Sequence, residues 1–144
     1  MGLKVAKFGG SSVANAEQIK KVKEIILKNN NRKVVVVSAP GKRFQGDCKI
    51  TDLLYLTHAH IKYSAPYDLT FKLIEERYNG IIEELGIKID IKDKLEEITK
   101  RLHGDISIDY LVSRGEYLNA MLIAEFIGYR FIDVKYPILV KLLL

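Results

Sequence analysis

The fold of this chain is decided by Leu3-Lys4-Val5-Ala6-Lys7-Phe8-Gly9-Gly10-Ser11-Ser12, close to its N-terminus. A short apolar segment typical of a strand breaks at two glycines and two serines, and a helical pattern follows. A lysine at the mouth of such a turn suits a phosphate, because glycines let the backbone approach closely and the helix N-terminus presents N–H groups. The spacing matches neither the Walker A loop nor the dinucleotide-binding fingerprint. From this stretch alone, an ordinary loop is the alternative.

A strand–helix–strand unit grows out of this turn. The helix is predicted to begin near Asn15, where Gln18 completes a pair resembling a capping box, and apolar residues then recur at helical spacing. The second strand is predicted over residues 33–39, and its four consecutive valines at 34–37 favour a strand buried on both faces of a parallel sheet. The chain is therefore predicted to be an α/β protein with a right-handed crossover.

The rest of the pattern is mostly helical. Thr51 with Asp52 is predicted to cap a helix over 53–61, although Thr51 is equally suited to bind a ligand. Two amphipathic helices form an excursion beside the sheet, and a third helix leads to a third strand. These four elements are predicted over residues 67–85, 91–102, 109–127 and 129–134.

Composition and charge narrow the class of protein. The chain of 144 residues is 48% hydrophobic and 28% charged, which is typical of one globular domain. We expect a cytoplasmic protein, because the sequence shows no signal peptide, no apolar run of about 18–20 residues and only one cysteine, Cys48. Residues 1–50 carry 11 Lys or Arg and 3 Asp or Glu, so an anionic ligand is expected near the glycines. Nucleic acid is disfavoured, since several of these lysines lie on the solvent side of one predicted helix and no aromatic platform for stacking bases accompanies them.

Ser113-Arg114-Gly115-Glu116 stands out within the predicted third helix. One interpretation is a surface ion pair beside a glycine that the helix tolerates at a cost of about 1 kcal/mol. The other is that Gly115 allows another backbone or a ligand to approach closely, while Glu116 faces a cationic group. The three histidines do not have the spacing of metal ligands, and we assign no metal site to them.

Four segments follow one another along the chain: Lys7-Phe8-Gly9-Gly10-Ser11-Ser12, Val37-Ser38-Ala39-Pro40-Gly41, Ile50-Thr51-Asp52-Leu53-Leu54 and Ser113-Arg114-Gly115-Glu116-Tyr117. In this order they resemble the N-terminal half of aspartate kinase, in the amino-acid kinase superfamily, over about residues 3–133. Kinases of glutamate, acetylglutamate, carbamate and uridylate share the glycine turn, but the first and last segments favour aspartate kinase. The resemblance implies a three-layer αβα parallel sheet, here truncated, with a helical excursion.

The same resemblance implies phosphorylation of the β-carboxylate of L-aspartate by ATP, the first step towards lysine, threonine and methionine. Magnesium is expected to arrive with the nucleotide. Lys7 would be the catalytic residue in contact with the transferring phosphoryl group. Thr51 would hold the aspartate, and Glu116 would pair with its α-ammonium. The phosphate and ATP contacts would come from Lys7, Gly9, Gly10, Ser11, Ser38 and Ala39.

The resemblance also implies what the 144 residues leave out. Aspartate kinases continue with a nucleotide-binding half and regulatory domains, so residues 1–135 would be the aspartate-side half, and the apolar residues 136–144 would not match the family. We expect the chain alone not to turn over, and we expect self-association through the open sheet edge and the tail. The alternatives are a kinase of another small acid and a non-catalytic module that binds anions.

Overall fold

The structure, a computed structural model, describes residues 2–133. Two parallel strands, one short 3-10 helix and five α-helices form this part of the chain. The predicted α/β class is confirmed. In chain order the elements are β1 (Lys4–Phe8), the 3-10 helix (Gly10–Val13), α1 (Ala16–Leu27), β2 (Arg32–Val37), α2 (Ile50–Lys62), α3 (Asp68–Leu85), α4 (Ile91–Thr99) and α5 (Ile108–Ile127).

The N-terminal unit forms as the sequence predicts. β1 pairs in parallel with β2, with Phe8 opposite Val37. The side chain of Asn15 accepts a hydrogen bond of 2.9 Å from the backbone N–H of Gln18, so Asn15 is the N-cap of α1. Such a cap stabilises a helix by about 1 kcal/mol, which explains why α1 begins where the sequence indicates.

The two faces of the sheet differ, and the prediction that the second strand is buried on both of them is wrong within residues 2–133. On one face, Val37 and Phe8 pack into the core. On the other face, Val5, Val34 and Val36 have exposed fractions of 63%, 42% and 48%. The reason is that the described helices pack against one face only, so the β-branched side chains on the other face have no described partner.

The helical region surrounds Tyr78 of α3, whose ring is fully buried. The same hydrophobic core includes Leu111, Leu118 and Leu122 of α5, which are also inaccessible to solvent. The helix ends behave as predicted: Gly86 after α3 and Gly128 after α5 both adopt the left-handed conformation that favours glycine.

The predicted third strand is not formed by residues 129–133, which are irregular. The amide of Tyr129 donates back to the carbonyl of Ala124, and its hydroxyl donates to the carbonyl of Arg32 at 2.9 Å. Phe131 packs edge-on against Tyr117, with 5.4 Å between the ring centroids. These contacts hold the segment against α5 and β2 without a strand ladder. Residue 134 and the predicted tail, 136–144, lie outside the described residues.

Candidate functional site

A cavity of about 460 Å³ lies where the carboxyl ends of β1 and β2 meet the N-terminus of α2 and the middle of α5. Ligands of parallel α/β sheets bind at this edge, because the strand ends and the following loops converge there. We call it the site cavity. Its lining residues are Gly10, Ser11, Ser38, Ala39, Pro40, Gly41, Lys42, Lys49, Thr51 and Glu116.

The floor of the site cavity is a close contact between two backbone segments. The amide of Gly41 donates to the carbonyl of Gly10 at 2.9 Å. A Cβ at Gly41 would lie 2.7 Å from the Gly10 carbonyl carbon and 2.9 Å from the Ser11 nitrogen. Only glycine fits at position 41, because both obstacles are backbone atoms. The close approach brings the glycine turn (residues 9–12) and the end of β2 together.

The N-terminus of α2 forms another wall, and here the prediction that Thr51 caps the helix is wrong. α2 begins at Ile50, three residues before the predicted start, and Lys49 is the N-cap. The early start follows from the amide of Ile50, which donates to the carbonyl of Pro40 at 3.1 Å. Thr51 therefore lies in the first turn and lines the cavity. The positive end of the helix dipole favours an anion at this wall.

Gly115 allows a close approach, as one of the two interpretations of its segment predicts. A Cβ at Gly115 would lie 2.9 Å from the Cβ of Ala39 and 3.2 Å from Leu54. The hydroxyl of Tyr78 donates to the carbonyl of Gly115 at 2.8 Å. Burial raises the pKa of Tyr78, with a smaller contribution from the charge of Glu116, so the phenol stays neutral and able to donate. α5 is thus held against the end of β2.

The two residues that flank Gly115 in the sequence line different cavities. Glu116 lines the site cavity. Arg114 lines a separate groove of about 660 Å³ between α4 and α5, and its guanidinium lies 4.7 Å from the ring centroids of both Tyr110 and Tyr117. No ion pair joins Arg114 to Glu116 within residues 2–133, so the surface ion-pair interpretation is wrong.

Opposite charges face the site cavity without partners of their own. Among the described residues, Lys42, Lys49 and Glu116 form no hydrogen bond or ion pair through their side chains. Both lysines are exposed to solvent. A cavity with a free carboxylate and two free ammonium groups suits a ligand that carries both a cationic and an anionic group.

Not all predicted site residues meet at this cavity. The residues that line it as expected are Gly10, Ser11, Ser38, Ala39, Thr51 and Glu116. Gly9 and Lys7 do not line it. Lys7 lies on β1 opposite Val36, on the open face of the sheet.

The sequence did not reveal every residue that lines or supports the site. Lys42 and Lys49 line the cavity from a loop that gave no periodic signal. Asn119, one turn after Glu116, is fully buried, and its side-chain amide donates to the carbonyl of Ser38 at 2.7 Å. A polar residue on the apolar face of α5 was the available signal, since a buried amide needs a partner.

The described part of the chain shows neither a cluster of metal-ligating side chains nor a helix that could span a membrane. No three His, Cys, Asp or Glu side chains cluster as metal ligands within residues 2–133. None of the helices in this range is long and apolar enough to cross a bilayer.

The family model of the amino acid kinase family matches residues 2–139. The chain belongs to this family. This amino acid kinase chain is 36% identical to aspartokinase 3 of Bacillus subtilis over 140 residues, which cover 93% of the chain and 31% of that relative. It therefore spans about a third of the length of this curated relative.

Two solved structures extend this comparison of the amino acid kinase. A crystal structure of Clostridium acetobutylicum aspartate kinase superposes with a TM-score of 0.89 and 50% identity, over 93% of this chain and 31% of that one. E. coli aspartokinase III, solved in complex with aspartate and ADP, superposes with a TM-score of 0.69 and 28% identity, over 88% and 29% of the two chains. The predicted resemblance to aspartate kinases is confirmed.

Proposed function

We propose that the chain forms the aspartate-side half of an aspartate kinase, with residues 1–135 as its N-terminal part. The reaction is the transfer of the γ-phosphoryl group of ATP to the β-carboxylate of L-aspartate. The observation that carries the proposal is the site cavity, where Glu116 faces the same space as Lys42 and Lys49 and none of the three has an ion-pair partner within residues 2–133. The solved E. coli relative holding aspartate and ADP supports it.

The charges of the cavity match those of aspartate. Glu116 would accept hydrogen bonds from the α-ammonium group, since its carboxylate has no described partner. Thr51 and the first turn of α2 would donate to a carboxylate, because free N–H groups and the helix dipole favour negative charge at that wall. A diacid with one ammonium group is therefore a better match than a neutral molecule.

Phosphoryl transfer to a carboxylate requires the protein to position the two reactants and to neutralise the charge of the phosphoryl group. The attacking carboxylate is ionised at neutral pH, so no general base is required. The backbone at Gly10 and Ser11 would bind phosphoryl oxygens, next to Ser38 and Ala39. Lys7 stays a proposal for the catalytic residue. Because Lys7 lies on the open face of the sheet, its side chain would have to approach the phosphoryl group from that face.

Magnesium would neutralise phosphate charge when bound with the nucleotide. Among the residues that the structure describes, Glu116 is the one carboxylate that lines the cavity, beside two lysines. Magnesium prefers several oxygen ligands, so this donor set fits an ion that the nucleotide carries. We propose that the chain alone does not complete the reaction, because it spans about a third of the aspartokinases that it resembles.

Replacing Glu116 by Gln tests the proposed function. Isothermal titration of the full chain with L-aspartate should give about tenfold weaker binding for E116Q, because a charge-assisted hydrogen bond contributes about 1.5–3 kcal/mol. Binding of N-acetyl-L-aspartate, which lacks the α-ammonium, should be weak in both proteins. The matched control is E125Q, an exposed glutamate on the same helix that does not line the cavity.

The outcomes separate the candidate functions. Equal binding of aspartate by E116Q and the unchanged chain would contradict the role of Glu116. A preference for L-glutamate or N-acetyl-L-glutamate over aspartate would favour a kinase of another small acid. Binding of inorganic phosphate without any amino-acid binding would favour the non-catalytic anion-binding module.

We also propose self-association through the open face and edges of the sheet. Val5, Val34 and Val36 expose apolar area on this face, and each described strand pairs on one side only. Such surfaces bind a second chain because unpaired strand edges and contiguous apolar area are stabilised by contact. Sedimentation equilibrium should show a concentration-dependent dimer or larger species, and a monomer at all concentrations would contradict the proposal.

A further inference from the structure

One buried arginine contacts the loop that carries both lysines of the site cavity. Arg77 of α3 is 7% exposed, and its guanidinium reaches residues 29 to 36 positions earlier in the chain. Its Nη1 donates to the carbonyl of Gly41 at 3.0 Å. Its Nη2 donates to the carbonyl of Cys48 at 3.0 Å and to Oδ2 of Asp47 at 2.8 Å. We call residues 41–49 the cavity loop.

The two carbonyls that Arg77 binds belong to the residues directly before the cavity lysines. Lys42 follows Gly41, and Lys49 follows Cys48. Because a peptide plane is rigid, fixing the carbonyl of one residue fixes the amide and the direction of the next. The guanidinium of Arg77 therefore fixes the backbone position of both lysines beside the cavity.

The same arginine is connected to the glycine turn. The carbonyl of Gly41 accepts from Arg77, while the amide of Gly41 donates to the carbonyl of Gly10 at 2.9 Å. Asp47 extends the connection within the loop, because it accepts from the backbone amide of Arg43 at 2.9 Å and from its guanidinium at 2.8 Å. The chain of contacts runs from α3 through the cavity loop to the predicted phosphate turn.

We propose that Arg77 is a positioning residue, which holds the cavity loop so that Lys42 and Lys49 together bind an oxyanion of the ligand. The oxyanion is a carboxylate or a phosphoryl group. The identity of this ligand rests on the proposed function, whereas the positioning does not. The guanidinium suits the task because its planar fork directs separate N–H groups at three acceptors, which the single ammonium group of lysine does not reproduce.

Amide hydrogen exchange tests the positioning without any ligand. The probes are the amides of Arg43 and Asp47, which donate to Asp47 Oδ2 and to the carbonyl of Phe44 inside the loop. In R77K these amides should exchange about tenfold faster or more, while the amides of α5 keep their protection. The matched control is K72A, an exposed lysine of the same helix. Unchanged exchange at both probe amides in R77K would overturn the proposal.

A double-mutant cycle tests the action through the lysines. The full chain and the variants K42A, K49A, R77K and R77K/K49A are titrated separately with ADP and with L-aspartate. If Arg77 acts through Lys49, K49A should weaken binding by about fivefold to tenfold, and R77K should weaken it less in the K49A background than in the unchanged chain, where both lysines are displaced. Additive losses would overturn the positioning role, and the probe with the larger loss identifies the oxyanion. If the unchanged chain binds neither probe, the proposed function and the lysine role fail, while the exchange result still decides the role of Arg77 in the loop.

Discussion

Replacing Asp47 by Asn is expected to lower the free energy of unfolding by about 3 kcal/mol at pH 7, because it leaves the buried guanidinium of Arg77 without a counter-charge. The side chains of Asp47 and Arg77 are 7% and 6% exposed and lie 2.8 Å apart. Breaking such a pair from one side costs more than the pair itself contributes, since the remaining charge stays desolvated. Urea unfolding followed by circular dichroism measures the change.

Asp47 is also expected to make the free energy of unfolding fall in acid. Hydrogen bonds from the Arg43 side chain and amide, and the positive charges of Arg77 and Arg43, hold the pKa of Asp47 well below its usual value, although burial opposes this. A carboxyl whose pKa is lower in the folded state stabilises the fold above its unfolded pKa of about 4. That contribution begins to be lost as the pH falls below about 4, and it is fully lost only below the lowered pKa of the folded state. The difference in unfolding free energy between the unchanged chain and D47N should therefore shrink from pH 7 to pH 3.

Arg43 provides the matched control for this prediction. It contacts the same carboxylate, but its side chain is 42% exposed. R43A should therefore cost less than D47N, because water partly replaces this half-exposed partner, whereas D47N leaves the buried guanidinium of Arg77 without a counter-charge. A difference between D47N and the unchanged chain that is independent of pH, or a cost of R43A equal to that of D47N, would contradict this account.

Replacing Gly41 by Ala is expected to destabilise the fold by about 2–3 kcal/mol and to weaken ligand binding at the site cavity. The added Cβ would meet the carbonyl group of Gly10 at 2.7 and 2.8 Å. No side chain can rotate away, so the glycine turn and the cavity loop must move apart. Thermal unfolding measures the stability, and titration with ADP or L-aspartate measures the binding.

Gly9 is the control within the same turn. A Cβ there has no other atom within 4 Å, and its backbone angles suit any residue. G9A should change the unfolding free energy by less than about 0.5 kcal/mol. Equal destabilisation by G9A and G41A would show that the close contact between Gly41 and Gly10 is not what the fold depends on.

Local sequence signals determined much of the scaffold of this amino acid kinase chain. The run before the glycines predicts β1, and Asn15 with Gln18 predicts the start of α1. Gly86 and Gly128 predict the ends of the two longest helices. Each signal acts within a few residues through hydrogen bonds or backbone angles, so no distant part of the chain is needed to interpret it.

The sequence predicted the site in part, through its resemblance to aspartate kinases. The glycine turn, Ser38, Thr51 and Glu116 were all expected at one place. Lys42, Lys49 and Arg77 were not, because no periodicity marks the cavity loop and Arg77 lies 36 residues beyond Gly41. A basic residue within an amphipathic helix ordinarily faces solvent, and only the fold buries this one.

By itself, the sequence determined the order and type of the N-terminal elements, the family and most of the residues around the site cavity. The tertiary structure alone decided three features: the open sheet face at Val34 and Val36, the early start of α2, and the irregular segment after Gly128. In each case the outcome depends on contacts between distant segments, such as the Ile50 amide with Pro40 and the Tyr129 hydroxyl with Arg32. Local propensity does not specify such contacts, because their free energy exists only once the chain has folded.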